Sequence, residues 1–244
     1  MTLRRGVSRR INGTRVRLPP EWSRYYGPVY QPETARFLVD ACTAGTTVAD
    51  IGAHIGLFTV VMADAVGPHG RVVSFEPTPS SAAALRRVVV LNDLAGRVEC
   101  VTAAVGQASG RAVFHVSDVP GDNGNSLVAE DRPGLEVDVV SIDEHLGPAA
   151  RVSCLKVDVE GGELDVVRGG LRVIERDRPA IALDVHPRTI PRGAASIEEL
   201  VALLVDLGYD GTIDGAAWEP AALAERAETF EILLRHGASP ESRR

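Results

Sequence analysis

The sequence predicts an α/β protein whose single domain is built on a mostly parallel, seven-stranded sheet with helices on both faces. From about residue 32 onward, short β-branched runs alternate with Ala-, Leu- and Arg-rich stretches, the order expected when helices connect parallel strands. The first strand of the series runs into a glycine loop, and the second ends in a carboxylate. The chain has 244 residues, 45% of them hydrophobic, and is therefore long enough to bury a sizeable core.

The N-terminal segment differs in charge from the rest of the chain. Residues 1–20 contain six arginines and no acidic residue, whereas the whole chain has a net charge of -7. We expect residues 1–31 to form an N-terminal extension, residues 32–236 the domain, and residues 237–244 a disordered tail. The acidic domain argues against a nucleic-acid substrate. The basic extension is either an RNA-binding arm or a solvated or crossing segment.

Helices and strands alternate regularly in the first half of the domain. Proline suits the first position of a helix, where its missing N–H is not needed, and serine is a good helix cap. The predicted elements are a helix from Pro32 to about Thr43, a strand at 46–51, a helix from Leu57 to Ala65, a strand at 71–76, a helix capped by Ser80 or Ser81 and ending at Leu91, and a third strand from Val98 to Val105.

Two strands with alternating polar and apolar residues interrupt the series between the third and fourth core strands. Residues 111–116 and 135–141 flank the polar loop 121–126, so we expect an inserted β-ribbon with a mobile loop. The remaining predicted elements are a fourth core strand from Val152 to Val159, a fifth from Ala180 to Val185, a helix capped by Ser196 and ending at Leu207 before Gly208, and short strands near Tyr209–Ile213 and Phe230–Arg235, the last of them antiparallel.

The loop after the first strand indicates which nucleotide cofactor the domain binds. Residues 50–56 have Gly-x-x-x-Gly spacing instead of the Gly-x-Gly-x-x-Gly spacing of NAD-binding loops. Asp50 stands just before the glycines, where it would repel a pyrophosphate but could pair with an ammonium group. Glu76 ends the second strand, where a carboxylate can accept both hydroxyls of a ribose. These features favour S-adenosylmethionine over NAD.

Four motifs occur together in an order and spacing that resemble a known family. They are Asp50-Ile51-Gly52-Ala53-His54-Ile55-Gly56 with Thr59, Phe75-Glu76-Pro77, Ser141-Ile142-Asp143-Glu144, and Leu155-Lys156-Val157-Asp158-Val159-Glu160-Gly161-Gly162-Glu163. Over about residues 30–235 the chain resembles the FkbM-type methyltransferases. The resemblance implies a Rossmann-like class I fold and S-adenosylmethionine-dependent methylation, usually of a hydroxyl on a natural product or a sugar. His54 departs from the family, which usually has Asn there.

The glycine loop and the strand ends provide the candidate cofactor contacts. Gly52 and Gly56 let the backbone approach the methionine moiety, and the amides of the following helix N-terminus suit its carboxylate. The predicted cofactor-binding residues are Asp50, Gly52, His54, Gly56, Thr59, Glu76, Pro77, Asn92 and Ala104. The expected product of transfer is S-adenosylhomocysteine.

The end of the fourth core strand is where we expect the cofactor and the methyl acceptor to meet. An alkyl hydroxyl hardly ionises at neutral pH, so a carboxylate or imidazole that removes its proton is expected to speed transfer by about 10²–10⁴-fold. Asp158, Glu160 and His186 are the candidate catalytic residues for this role, although His186 could instead close a turn before a proline. Lys156, the only lysine beside 25 arginines, is the fourth candidate catalytic residue.

The sequence leaves several functions open. O-methylation of a small molecule is the leading hypothesis, and the alternatives are N- or carboxyl-methylation and a cofactor-binding module without catalysis. An NAD-dependent oxidoreductase is disfavoured by the loop spacing. Asp158, Asp184 and His186 could converge on a divalent metal ion, but none is assigned.

Cysteine usage and hydropathy indicate a cytoplasmic location. Cys42, Cys100 and Cys154 have neither disulfide-framework nor zinc-site spacing. The sequence shows no signal peptide and no apolar run long enough to cross a membrane. We therefore expect a cytoplasmic enzyme with a small-molecule partner and no nucleic-acid or membrane binding. A homodimer is one assembly that remains open.

Overall fold

The computed structural model describes residues 6–115, 134–187, 189, 197–219, 223, 226 and 228–237. The predicted polar loop 121–126, the predicted cap Ser196 and the tail after residue 237 lie outside these residues. The strands are β1 Val7–Ile11, β2 Thr14–Leu18, β3 Thr47–Ile51, β4 Arg71–Phe75, β5 Val98–Val101, β6 Ala104–Val105, β7 Gly110–His115, β8 Gly134–Val140, β9 Val152–Val157, β10 Ala180–Val185, β11 Tyr209–Ile213, β12 Ala216–Ala217 and β13 Phe230–His236.

Helices connect the parallel strands, as predicted. They are α1 Pro32–Ala41, α2 Leu57–Val66, α3 Pro79–Leu91, α4 Ile142–Leu146, α5 Glu163–Gly169, α6 Leu171–Asp177 and α7 Ile197–Asp206, with a short 3-10 helix at Pro20–Trp22. Helix α3 begins earlier than expected. Its N-cap is Thr78 and Pro79 fills the first turn, so Ser80 and Ser81 lie inside the helix instead of capping it.

The central sheet has the order β12-β11-β13-β10-β9-β3-β4-β5, in which β13 runs antiparallel to β10 and β11. In the described part of the chain this sheet has eight strands, because the two-residue strand β12 adds to the seven expected. The third core strand was predicted to run to Val105, which is too far. In the structure β5 ends at Val101, and Ala104–Val105 form β6, which pairs with β8. Strand order reverses between β3 and β9, which is where an open α/β sheet binds its ligand.

The inserted ribbon forms a second, smaller sheet. Strands β7 and β8 pair in antiparallel register, and β6 joins β8 in parallel. Alternation along β7 buries Phe114, while Val113 is exposed. The ribbon thus presents one apolar face to the domain.

The N-terminal segment packs into the domain. Strands β1 and β2 form a hairpin whose residues Ile11, Val16 and Leu18 belong to the same hydrophobic cluster as helices α1, α2 and α3. Asn92, at the end of α3, accepts a hydrogen bond from the Arg17 amide (2.9 Å) and donates one to the Arg17 carbonyl (2.9 Å). The division predicted at residue 31 therefore separates segments that share one core.

None of the helices in the described part of the chain combines the length and the apolar character needed to cross a membrane.

Replacement of a buried hairpin valine tests whether the hairpin belongs to the folding unit. Val16 is 0% exposed and Val7, on the paired strand, is 38% exposed. We expect Val16→Ala to lower the free energy of unfolding by about 2 kcal/mol, because two methyl groups and their packing are lost. The matched variant Val7→Ala is expected to change it by no more than about 0.5 kcal/mol. Chemical denaturation measures both, and equal losses would show that the hairpin does not contribute a buried face.

Candidate active site

A buried polar network crosses the point where strand order reverses. Asp50 of β3 is the register partner of both Lys156 on β9 and Ser74 on β4. Lys156 Nζ lies 3.8 Å from Asp50 Oδ1 and 3.3 Å from Asp158 Oδ2. Thr59 of α2 donates a hydrogen bond to Asp50 Oδ2 (2.6 Å) and lies 3.0 Å from the Ser74 hydroxyl. The network links three central strands to the helix that follows the glycine loop.

Lys156 is cationic at neutral pH although only 4% of its side chain is exposed. Burial acts to lower the pKa of this amine, but the charges of Asp158, Asp50 and Asp184 outweigh burial and raise the pKa above its ordinary value. The ring of Phe58 lies 5.4 Å from Nζ and covers the ammonium. Lys156 thus acts as a buried counter-ion beneath the carboxylates.

A first cleft opens at the carboxyl ends of β3, β4 and β9. Its shape depends on Gly52, whose φ is 78°. A Cβ atom at this position would lie 1.8 Å from the carbonyl oxygen of Asp158, so only glycine allows the two strand ends to approach this closely. The sequence analysis attributed the need for glycine at position 52 to a close approach of the cofactor. In the structure, the need comes from the close approach of the Asp158 backbone at the end of β9.

Glu76 lies in this cleft with its carboxylate fixed on both sides. Oε2 accepts a hydrogen bond from the amide of His54 (2.9 Å), and Oε1 accepts one from the amide of Thr78 (2.9 Å). Burial raises the pKa of the carboxyl, and these two hydrogen bonds act in the opposite direction. Because a carboxylate oxygen can accept more than one hydrogen bond, both oxygens can still accept a pair of neighbouring hydroxyls.

His54 lines the same cleft and is neutral. Burial lowers the pKa of its imidazole to about 4. The ring packs at 5.4 Å from the ring of Trp22 and 5.2 Å from that of Tyr25. The N-terminal segment therefore forms the aromatic surroundings of the glycine loop.

The structure divides the predicted cofactor-binding residues into two groups. Those that line the cleft are Gly52, His54, Glu76, Pro77 and Ala104. Those that do not line it are Asp50, Gly56, Thr59 and Asn92. Further lining residues that the sequence interpretation missed are Phe75, Thr78, Ala103, Phe114 and Gly162. Alternation in the ribbon could have indicated Phe114, since it predicts one inward-facing set of side chains.

The predicted cofactor-binding residues that lie outside the cleft have other roles in the structure. The Asp50 carboxylate is completely buried against Thr59 and Lys156, so its direct contact with a cofactor ammonium does not fit the structure. Thr59 is equally buried. Asn92 ends α3, the helix that starts near the cleft at Pro79, and bonds to the hairpin instead. A Cβ at Gly56 would lie 2.5 Å from Leu85, so this glycine allows helix packing.

A second, wider pocket adjoins the first and shares Asp158 and Glu160 with it. Its lining is strongly acidic. The lining residues are Tyr30, Gln31, Pro32, Glu33, Asp158, Glu160, Asp184, His186, Asp214, Thr229, Phe230 and Glu231. Three of the predicted catalytic residues, Asp158, Glu160 and His186, therefore meet at one wall. The fourth, Lys156, lies beneath them and does not line either pocket.

His186 is held by carboxylates on both sides of its ring. Nδ1 lies 3.0 Å from Glu163 Oε1, and Nε2 lies 3.7 Å from both Asp158 Oδ1 and Glu160 Oε1. Burial lowers the pKa of the imidazole, but the Glu163 hydrogen bond and the surrounding charges outweigh it and raise the pKa to about 9. The ring is therefore protonated at neutral pH in the ligand-free protein. Its predicted role as a general base does not fit this state.

Asp184 belongs to the acidic wall but not to the group formed by the other three side chains. It accepts a hydrogen bond from Gln31 Nε2 (2.9 Å), and burial together with the charge of Asp158 raises its pKa to about 6. The side chains whose ligand atoms lie within 4.8 Å of one another are Asp158, Glu160 and His186. The structure thus groups Glu160, and not Asp184, with Asp158 and His186. It differs in this one residue from the metal-ligand set considered from the sequence.

Comparison with known proteins identifies the family. A family model described as the methyltransferase FkbM domain matches residues 50–210. The chain belongs to the FkbM methyltransferase family. The FkbM assignment agrees with the sheet order, which is that of class I methyltransferases, and it identifies the chain as a methyltransferase.

Individual relatives of this FkbM chain are distant. Methyltransferase sdnD of Sordaria araneosa is 28% identical over 208 residues, which cover 71% of this chain and 77% of that protein. Methyltransferase 1 of Beauveria bassiana (strain ARSEF 2860) is 26% identical over 189 residues, 64% of this chain and 74% of that protein. The solved structure of methyltransferase FkbM from Methylobacillus flagellatus KT matches 78% of this chain with a TM-score of 0.52 and 20% identity, and this chain spans 44% of its length.

Repulsion among the acidic side chains of the wider pocket leads us to expect that replacing the Glu231 carboxylate with a neutral amide increases stability at high pH. Burial and the charges of Asp184, Glu33 and Asp214 raise the pKa of Glu231 to about 7. An acid whose pKa is higher in the folded state contributes stability below its unfolded pKa of about 4.3, and this contribution is lost as the pH rises towards 7. We therefore expect Glu231→Gln to melt at a higher temperature than the wild type at pH 8.

The difference between Glu231→Gln and wild type should shrink towards zero near pH 4.5, as measured by thermal unfolding across the pH range. Glu175→Gln, at an exposed position of α6, serves as the control and should show no such trend. A Glu231→Gln difference independent of pH would contradict the assigned repulsion.

Proposed function

We propose that the protein transfers a methyl group from S-adenosylmethionine to a hydroxyl group of a small-molecule natural product or sugar unit. The observation that supports this most directly is the shared wall of the two pockets. Asp158 and Glu160 line both the cleft that contains Glu76 and the wider acidic pocket. A methyl donor in the first and an acceptor in the second would meet at these carboxylates.

The first cleft fits the cofactor. Glu76 offers a fixed, buried carboxylate for the two ribose hydroxyls, and apolar Phe75, Ala103 and Phe114 suit the faces of an adenine ring. Bound S-adenosylmethionine supplies an electrophilic methyl group on a sulfonium centre. The buried Asp50 contributes through Lys156 and Thr59, because these contacts fix the strand end that carries the glycine loop.

The acidic pocket fits an acceptor rich in hydrogen-bond donors. Carboxylates accept hydrogen bonds from hydroxyl groups, and Asp158 and Glu160 lie where they can also take the proton of the reacting hydroxyl. His186, protonated in the ligand-free protein and 3.7 Å from an oxygen of each, limits the movement of both carboxylates. Since positioning provides much of the rate of such a transfer, an anchored carboxylate pair is well suited to it.

The acidic lining of the wider pocket also discriminates between carboxylate and amine acceptors. A carboxylate acceptor would be repelled by the lining residues, which disfavours carboxyl methylation. A protonated amine would be attracted, so N-methylation is the second candidate. An amine acceptor would have to lose its proton before it could attack.

The cofactor assignment predicts the effect of removing Glu76. We expect Glu76→Ala to weaken S-adenosylmethionine binding by about 1–3 kcal/mol, the cost of losing a hydrogen bond to a charged group. Isothermal titration calorimetry measures the change, with Glu175→Ala, at an exposed position of α6, as the control. An unchanged affinity in Glu76→Ala would remove the ribose assignment.

The function itself is tested by transfer of a labelled methyl group to panels of hydroxyl, amine and carboxylate acceptors. We expect hydroxyl compounds to be labelled and the products to withstand mild base. Asp158→Asn, assayed at saturating cofactor, should turn over about 10²–10⁴-fold more slowly. Base-labile label would indicate an ester, and label only in amines would establish the second candidate. Cofactor binding without transfer to any acceptor would indicate a module that lacks catalysis.

A further inference from the structure

Three side chains with different metal-binding preferences meet at the wall between the two pockets. Asp158 and Glu160 follow β9, and His186 follows β10. One ligand atom from each lies within 4.8 Å of the others, and the imidazole Nε2 is 3.7 Å from an oxygen of each carboxylate. Donors bound at about 2.1 Å to one cation are roughly 3.0–3.4 Å apart, so small side-chain movements would close the group around an ion.

A fourth, completely buried side chain orients the histidine. Glu163 is 0% exposed, and its Oε1 accepts the hydrogen bond of His186 Nδ1 (3.0 Å) and of the Gly161 amide (3.0 Å). This contact turns Nε2 towards Asp158 and Glu160. A buried carboxylate bonded to the far nitrogen of a histidine is the usual outer contact of a histidine metal ligand, because it fixes the ring and strengthens the ligand.

Carboxylates outnumber cationic groups at the site, where Asp158, Glu160 and Glu163 surround the protonated His186 and Lys156 contacts Asp158. The second oxygen of Glu163, Oε2, is buried and has no hydrogen-bond partner among the described residues. Lys156 compensates Asp158 only through Oδ2 (3.3 Å), whereas the other oxygen, Oδ1, is the one that faces His186. Asp184 adds a further carboxyl to the same wall. Burial of a carboxylate oxygen without a partner is unfavourable, so additional positive charge near this cluster would be stabilising.

We propose that Asp158, Glu160 and His186 bind a divalent cation, with Glu163 as the residue that positions His186. Metal binding would displace the proton that the imidazole carries in the ligand-free protein. The resulting donor set of two carboxylates and one imidazole suits Mn²⁺ or Zn²⁺ better than a cation that prefers oxygen alone. The wider pocket beside the cluster leaves room for further ligands.

The role of the cation rests on the proposed function. Open coordination positions towards the acidic pocket would hold two neighbouring oxygen atoms of the acceptor, which selects acceptors with adjacent oxygens. A bound cation also lowers the pKa of a coordinated hydroxyl. A weakly basic carboxylate oxygen that is not bound to the cation would then suffice as the proton acceptor.

Metal binding to the protein alone provides the test. Protein dialysed against a chelator is titrated with Mn²⁺, Zn²⁺ or Mg²⁺ by calorimetry, and Mn²⁺ binding is checked by electron paramagnetic resonance. We expect one saturable Mn²⁺ or Zn²⁺ site per chain. It should be lost in Glu160→Gln and in His186→Asn, and its affinity should fall by about 10–100-fold in Glu163→Gln.

The matched control is Glu33→Gln, which removes one carboxylate from the same pocket but outside the cluster, and which should leave metal affinity unchanged. Absence of saturable binding for all three ions would overturn the proposal. So would equal weakening by Glu33→Gln and Glu160→Gln, because this indicates a diffuse acidic surface. Neither result affects the methyl-transfer proposal, since the titration contains no cofactor and no acceptor. Circular dichroism confirms that each variant is folded.

Discussion

The buried contact of Lys156 with Asp50 and Asp158 is the constraint on which the site depends. It joins β3 to β9 where strand order reverses, and the close approach of Gly52 to the Asp158 carbonyl lies at the same strand ends. Removal of one partner from a buried ion pair costs about 3–5 kcal/mol, because the remaining charge is left uncompensated. The network therefore keeps a charged strand end in one position, and this position brings the two pockets into contact. The rarity of lysine drew attention to Lys156 as a candidate catalytic residue, whereas the structure places it as a buried counter-ion that lines neither pocket.

A single stretch, residues 158–163, contributes to both pockets and to their support. Asp158 and Glu160 face the pockets, whereas Glu163 turns inward and holds His186 on the neighbouring strand. Glu160 has a φ of 56° and Gly161 a φ of 109°, so the turn holds an unusual backbone conformation. Such conformations persist only where surrounding contacts enforce them. Here, the Gly161 amide bonds to Glu163, which links the shape of the turn to the orientation of the imidazole.

Local signals in the sequence were sufficient to predict the order of the seven core strands and the placing of chemical groups at strand ends, but not the N-terminal hairpin β1–β2 or helices α4 and α6. Period-two patterns and terminal acids depend on neighbouring residues only, so Glu76, Asp158 and His186 could be placed without tertiary information. The direction of a side chain depends on its partners, however. Asp50 was expected to face the cofactor and instead faces Lys156, one strand away. Contacts between distant segments, such as Gln31 with Asp184, leave no local signal.

The N-terminal segment supplies Tyr30 and Gln31 to the wall of the wider pocket, whereas the floor of the first cleft comes from the strand ends of the central sheet. The hairpin anchors this segment through Asn92 and the shared core. The N-terminal segment thus lies against the wider pocket through Tyr30 and Gln31, and against the glycine loop through Trp22 and Tyr25. A substitution in this segment would therefore act on the proposed donor and acceptor sites together, because the same residues complete the core and pack on the glycine loop.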